Sequence, residues 1–142
     1  MEEWRRDGYL ISTDPGLLNL DTMHGFLQYS YWAADRSLET IRRSIENSLT
    51  FGVYRDEDRR QVGFARVVTD FATFAWICDV YIDETHRGRG LGVWLMEIIA
   101  GYPRLQGLRM WLLATKDAHG LYEKTGFRPL RMPERFMWKL NL

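Results

Sequence analysis

The chain has 142 residues, of which 46% are hydrophobic and 14% aromatic, a composition that predicts one compact domain over residues 1–142. Nineteen basic and nineteen acidic residues give a formal net charge of zero, which argues against nucleic acid or an anionic membrane as a general partner. The single cysteine, Cys78, excludes an internal disulfide and favours no metal site. Because no apolar segment of membrane-spanning or leader type is found, we expect a cytoplasmic protein.

The first half of the chain predicts one short strand, two helices and a three-stranded meander. The strand covers residues 9–13, and Asp21 is expected to cap a helix that runs to about residue 29. Ser37 is expected to cap a second helix with apolar residues near helical spacing, namely Leu38, Ile41, Ile45 and Leu49. The meander strands are predicted over residues 50–54, 61–68 and 72–82.

The second half begins with an apolar strand, residues 77–82, a glycine-rich turn, and a helix from Leu91 that Gly101 ends. A strand over residues 109–113 follows, which predicts a parallel strand–helix–strand crossover. Asp117 is expected to cap a short helix that stops at Gly126. Residues 127–130 and 136–140 predict a last hairpin, so the whole pattern is typical of an α+β domain with a largely antiparallel sheet.

The turn between strand and helix is suited to binding an anion. Glycine lets the backbone approach a ligand closely, and the first N–H groups and dipole of a helix favour negative charge. The segment comprises Arg87, Gly88, Arg89, Gly90, Leu91 and Gly92. Val93 after the last glycine does not fit a nucleoside-triphosphate loop, and the glycine spacing differs from the dinucleotide fingerprint. The turn therefore predicts a pyrophosphate site, with a basic turn that binds no ligand as the alternative.

Two motifs carry a family resemblance. Arg87-x-x-Gly90-x-Gly92, after a strand that ends Val80-Tyr81-Ile82, resembles the acyl-CoA signature of the GNAT superfamily of N-acetyltransferases. Downstream, residues 118–127 (AHGLYEKTGF) resemble that family's later helix and its LYxxxGF ending. The resemblance covers nearly the whole chain. It implies a GNAT-like mixed, mostly antiparallel central sheet flanked by helices, with strands splayed at the acyl-CoA site, and acetyl-CoA as the acyl donor.

The resemblance assigns Tyr122 to protonating the leaving thiolate. A candidate general base comes from the residues themselves. Asp79 is the lone charge in an apolar strand, where burial is expected to raise its pKa toward useful values. A role for Asp79 in orienting substrate or bonding to the backbone stays open.

The remaining site residues divide between donor and acceptor. Backbone groups of Val80, Tyr81 and Ile82 are expected to bind the pantetheine arm as an added strand, and the Ile82 N–H to polarise the acetyl carbonyl. Thr115 stands where the family often has asparagine, three residues before Ala118, and threonine cannot supply the paired geometry of an amide. The resemblance places the acceptor pocket, favourable to a cationic amine, at Tyr29, Tyr31, Trp32 and Arg36.

These observations predict an acetyl-CoA-dependent N-acetyltransferase in which a primary amine of a small molecule or peptide attacks the thioester directly. A different acyl group or an oxygen acceptor remains open. A non-catalytic acyl-CoA-binding or sensing domain would keep the glycine turn without needing Tyr122. A structural partner protein would bind no acyl-CoA. Edge strands and the aromatic tail at residues 136–138 also favour a homodimer.

Overall fold

A computed structural model describes residues 1–141 and contains one six-stranded sheet. Neighbouring strands are antiparallel, except that the last two run parallel. The strands lie in chain order: β1 Glu3–Arg6, β2 Tyr9–Ser12, β3 Leu49–Arg55, β4 Gln61–Thr69, β5 Phe74–Ile82 and β6 Met110–Leu113. The predicted α+β class, the meander and the parallel crossover are confirmed.

Helices cover both faces of the sheet. Their bounds are α1 Leu20–Gln28, α2 Leu38–Glu46, α3 Leu91–Gly101 and α4 His119–Glu123. On one face, α3 buries Leu95, Met96 and Ile99 in the larger core. On the other, α1 and α2 bury Met23 and Ile41 in a smaller core. Within residues 1–141 no helix has the length and apolarity that crossing a bilayer would require.

The amino-terminal strand β1 was not predicted. It forms a hairpin with β2 through Asp7 and Gly8, whose φ angles of 51° and 84° are both positive. Two positive φ angles are typical of the type I′ turn, which Asp-Gly favours. The signal was therefore present in the sequence, immediately before the strand that was predicted.

Two of the predicted helix caps are wrong. The Asn19 side chain accepts a hydrogen bond from the Thr22 N–H at 3.0 Å and caps α1, while Asp21 lies inside the first turn. Asp117 does not cap α4, which begins after Ala118 with no side-chain cap. The Ser37 cap of α2 is confirmed, with its hydroxyl 3.1 Å from the Thr40 N–H.

The predicted last hairpin is also absent from the described residues. Residues 127–140 contain a 3₁₀ turn, Pro133–Arg135, and no strand. Pro129 and Pro133 have no N–H to donate to a ladder, which disfavours regular pairing. Met137 and Trp138 are consequently 97% and 83% exposed.

Candidate active site

A cleft of about 1220 Å³ opens where β5 and β6 separate. The parallel pairing ends at Ile77 and Leu113, while β5 continues to Ile82. The segment after β6, residues 114–118, and α4 form the opposite wall. The strands that flank the cleft are therefore splayed, as the family resemblance implied.

Backbone groups of β5 point alternately toward β4 and into this gap. The Asp83 N–H donates to the Val62 carbonyl of β4 at 2.7 Å. Since the direction of N–H and C=O groups alternates along a strand, Ile82 and Val80 direct theirs away from β4. Of the three residues predicted to bind an extended ligand, these two offer backbone groups to the cleft, whereas those of Tyr81 face β4.

A β-bulge decides which side chains of β5 reach each face. Arg66 pairs with Asp79, but Val67 pairs with Ile77, so Cys78 is an extra residue on β5. An extra residue reverses the alternation of side chains beyond it. Ile77 and Val80 consequently both pack in the larger core. Asp79 lies on the opposite face, beside the segment that joins α1 and α2.

The glycine turn leads into α3 with an unusual backbone. Gly88 and Gly90 have φ angles of 78° and 77°, a region that disfavours other residues, and a Cβ at either would meet no atom within 4 Å. The first helical bond runs from the Trp94 N–H to the Gly90 carbonyl at 3.0 Å. The earlier N–H groups of the helix therefore have no intrahelical acceptor, namely those of Leu91, Gly92 and Val93.

Arg87 is held at the end of β5 next to this turn. Its Nε–H donates to the Ile82 carbonyl at 2.8 Å, and its guanidinium lies 5.2 Å from the centre of the Tyr81 ring. The first turn of α3 carries no acidic residue. This end of the cleft thus combines open N–H groups with a fixed cation, a donor set that fits a pyrophosphate.

A second contact supports the same end of the cleft. The Tyr9 hydroxyl and the His86 Nδ1 are 2.8 Å apart, which ties the 3₁₀ turn Glu84–His86 to β2. Burial lowers the pKa of His86, and the positive charges of Arg89 and other arginines act in the same direction. The imidazole therefore favours its neutral form.

Asp79 is buried at the other end of the cleft and forms three hydrogen bonds. Oδ1 accepts from the Trp32 Nε1–H at 2.7 Å. Oδ2 accepts from the Arg36 Nη1 and the Arg66 Nε, both at 2.8 Å. Burial alone would raise the pKa of Asp79, but the bonds and charges of Arg66, Arg36 and Trp32 outweigh it, and the pKa is lowered. The expectation of a raised pKa is therefore wrong, because the charged form has three donors.

Arg66 was missed in the sequence interpretation. It also donates from Nη1 to the Ser48 hydroxyl at 3.2 Å. Arg66 interrupts the apolar run of β4 just as Asp79 interrupts that of β5. Two opposite lone charges in adjacent strands were a signal for a buried ion pair.

The predicted acceptor side of the cleft is closed by a contact between two loops. The Tyr31 hydroxyl accepts a hydrogen bond from the Lys116 N–H at 2.7 Å, and the Lys116 Nζ lies 5.6 Å from the centre of the Tyr31 ring. Trp32 packs edge-on against Tyr31, with ring centres 5.1 Å apart. Tyr29 is largely exposed at the mouth of the cleft.

Tyr122 lies on α4 and faces the cleft. Burial, with smaller effects of Tyr31 and Asp117, raises the pKa of Tyr122 to about 12, so the phenol keeps its proton at neutral pH. Upstream of the helix, the Thr115 hydroxyl accepts a hydrogen bond from the Ala118 N–H at 3.0 Å. Thr115 thereby fixes the entry into α4 with a single hydrogen bond.

The cleft brings together all but one of the predicted site residues. The exception is Arg89, which does not line the cleft. Additional lining residues include Arg66, Trp76, Cys78, His86 and Lys116. Within residues 1–141, no group of three or more His, Cys, Asp or Glu side chains could hold a metal ion.

Comparisons with known proteins agree with this geometry. The acetyltransferase (GNAT) domain family model matches residues 47–129. A Gibberella zeae protein described as an acetyltransferase is 32% identical over 152 aligned positions, which cover 92% of this chain and 85% of that protein. Among solved structures, a GNAT-family acetyltransferase from Xanthomonas campestris pv. campestris is 44% identical, with a TM-score of 0.89 and coverage of 94% and 93%.

More distant structures share the fold alone. The glucosamine-6-phosphate N-acetyltransferase of Arabidopsis thaliana is 16% identical, with a TM-score of 0.67 and coverage of 94% of this chain and 99% of that one. The family model, the Gibberella relative and the close Xanthomonas structure show the family independently of such distant matches. The chain belongs to the GNAT family of acetyltransferases.

Proposed function

We propose that this protein transfers an acetyl group from acetyl-CoA to a primary amine, which attacks the thioester directly. The observation that carries the proposal is the cleft itself. It joins an anion-binding turn, an unpaired stretch of β5 and a protonated tyrosine in one continuous space. Those are the groups that acyl transfer from a thioester requires.

The donor end holds the acyl-CoA. The N–H groups at the start of α3 and the guanidinium of Arg87 bind the pyrophosphate. The backbone of Val80 and Ile82 pairs with the pantetheine arm as an added strand. The Ile82 N–H points into the gap and polarises the acetyl carbonyl. The backbone carbonyl of Ile82 accepts a hydrogen bond from Arg87.

The leaving thiolate takes its proton from Tyr122. The raised pKa of this phenol keeps the proton in place until a strong base forms beside it. A bound thiolate desolvated in the same cleft is such a base, since burial raises thiol pKa values as well. Tyr122 is thus a proton donor used once per turnover, and its phenolate recovers a proton through solvent as the acetylated nitrogen loses one.

Asp79 positions the acceptor pocket instead of taking a proton. All three of its neighbours donate to the charged carboxylate, so protonation would cost these bonds. Asp79 fixes Trp32 and Arg36, which line the acceptor side together with Tyr29 and Tyr31. The acceptor ammonium releases its proton to solvent before attack, and the arginine charges assist this step because a nearby cation lowers the pKa of an ammonium group.

Calorimetric titration of acetyl-CoA into the protein tests the donor site. Saturable binding is expected for the wild type, with strong loss in Arg87→Ala and in Gly90→Val. Gly107→Val is the matched control, because Gly107 also has a φ of 77° and open space, yet does not line the cleft. Since both valine variants place a side chain at the same positive φ, the backbone strain is comparable. Loss of acetyl-CoA binding in Gly90→Val alone therefore supports the site.

Release of CoA thiol with a panel of amines then tests catalysis. Binding without turnover of any amine would favour a non-catalytic acyl-CoA-binding domain. A wild-type protein that binds no acetyl-CoA at millimolar concentration refutes the proposed function at its first step.

We also propose that the chain forms a homodimer through the free edge of β6. β6 is the last strand of the sheet, and a groove of about 740 Å³ runs along it. The exposed Met137 and Trp138 lie in the segment that follows. Sedimentation equilibrium of the wild type and of Trp138→Ser tests this assembly, and a monomeric wild type refutes it.

A further inference from the structure

We propose that the acceptor amine also carries a negatively charged group, a carboxylate or a phosphate, that binds Arg36 and Arg66 at the floor of the cleft. This inference rests on the proposed function, and it names the substrate class of the same site. It follows from the charge, the burial and the free donors of these two guanidinium groups.

The charge at the floor of the cleft is not balanced. Arg36 and Arg66 share the single carboxylate of Asp79, which leaves a net charge of +1 in the cluster. The side chains of these three residues are only 21%, 13% and 2% exposed, respectively. A buried charge is costly unless it is paired, so a bound anion would compensate the second guanidinium.

Other charges along the cleft do not offset this excess. Among the described residues that line it, the acids are Asp79 and Asp117, and the bases are Arg36, Arg66, Arg87 and Lys116. Arg87 belongs to the donor end, where the pyrophosphate binds. Of the rest, Lys116 and Asp117 cancel, so the acceptor end keeps the net charge of +1 of Arg36, Arg66 and Asp79, which attracts an anionic substrate.

The two guanidinium groups also have donors to offer. In the described part of the chain, Arg36 bonds only through Nη1, which leaves Nε and Nη2. Arg66 bonds through Nε and Nη1, which leaves Nη2. Guanidinium nitrogens bind carboxylate and phosphate oxygens in forked geometry, and such charge-assisted bonds are strong.

The sequence predicted that the aromatic residues of the pocket favour a cationic acceptor, whereas the charges of the cleft favour an anionic one. The ammonium of Lys116 already lies near the face of Tyr31. An acceptor with its anion on the arginines would instead present an amine that the positive field keeps in the free-base form.

Matched pairs of amines test this inference. Suitable pairs are β-alanine with its amide, phenylalanine with its amide, and phosphoethanolamine with ethanolamine. Binding is measured by ligand-observed NMR with CoA present, and kcat/KM by release of CoA thiol. We expect the charged member of at least one pair to be preferred by about ten- to a hundredfold, the range of a charge-assisted hydrogen bond. Carboxylate and phosphate pairs distinguish the two anion types.

Variants of Arg36 link the preference to the cluster. Arg36→Gln is expected to reduce the charged-to-uncharged ratio to near one, and Arg36→Lys to retain part of it. Arg43→Gln on the exposed side of α2 removes the same charge away from the cleft and should leave the ratio unchanged. Melting curves and acetyl-CoA affinity confirm that each variant is folded and retains its donor site.

The outcomes separate this inference from the proposed function. Three outcomes overturn the anionic acceptor and leave acetyl-CoA binding intact. The amines without the anionic group bind and react equally well or better, no amine with the anionic group binds, or the preference survives Arg36→Gln. A protein that binds no acetyl-CoA overturns the proposed function, whatever anions the NMR experiment detects.

Discussion

Replacing Asp79 by asparagine removes the carboxylate that Arg36 and Arg66 share. The shape of the side chain is kept, but its Nδ2 or its uncharged oxygen then faces two guanidinium groups in a buried site. Breaking a buried ion pair by removing one partner typically costs about 3–5 kcal/mol. We expect Asp79→Asn to lower the free energy of unfolding by that amount, measured by urea denaturation.

The pH dependence of this loss follows from the direction of the pKa shift. The pKa of Asp79 is lower in the folded protein than its usual value, so the ionised carboxylate stabilises the fold. That contribution is complete above the pKa of the unfolded chain, about 3.9, and is lost as the pH falls through the folded pKa. The difference between wild type and Asp79→Asn should therefore be largest near neutral pH and shrink below about pH 4.

The control is Asp35→Asn, an exposed position in the same loop as Arg36. A substitution there should change the unfolding free energy by less than about 0.5 kcal/mol. The ion-pair argument is refuted if Asp79→Asn costs less than about 1 kcal/mol, or if its cost does not depend on pH. A general base would instead reveal itself by a lost ionisation in the rate profile with little loss of stability.

Three further substitutions test other parts of the structure. Tyr122→Phe should lower kcat by about 10²–10⁴-fold at unchanged acetyl-CoA affinity, measured by CoA thiol release, and an unchanged kcat would contradict the proton-donor role. Gly52→Ala places a Cβ against the hydroxyl of the buried Tyr54, so the free energy of unfolding should fall by about 1–3 kcal/mol in thermal or urea melts. A Cβ at Gly25 meets no atom within 4 Å, so Gly25→Ala is the control and should not lower the free energy of unfolding. Tyr31→Phe removes the hydroxyl that accepts the hydrogen bond from the Lys116 N–H, a bond worth about 0.5–1.5 kcal/mol. The KM for the amine substrate should therefore rise several-fold, while acetyl-CoA binding measured by calorimetry should not change.

The sequence predicted the part of the fold whose signals are local. The glycine turn and α3 were predicted because a run of glycines precedes a nearly continuous apolar helix. The turn at Asp7 and Gly8 was equally local but was overlooked. The last hairpin failed for a different reason, since strand formation needs a partner edge, and residue composition does not specify one.

The candidate site was predicted in outline from two motifs, but its electrostatics were not. Asp79 was expected to be a lone buried acid, because the segment that carries Trp32 and Arg36 has no sequence signal for where it lies, and the signal of Arg66 in β4 was overlooked. Arg36 and Trp32 precede Asp79 by 43 and 47 positions in the sequence, so their contacts with it depend on how α1 and α2 pack against the sheet. The direction of a pKa shift depends on such neighbours as much as on burial.

The bulge at Cys78 makes the proposed acceptor pocket depend on one unpaired residue of β5. If Cys78 were instead paired within the ladder, regular alternation from Ile77 would turn Asp79 toward the larger core beside α3 and leave Arg36 and Arg66 without their carboxylate. A chemically conservative change at Cys78 would leave the spacing intact. Within this strand, the place of the extra residue therefore decides which face Asp79 occupies, and a change that moves the bulge displaces the charged groups more than most substitutions.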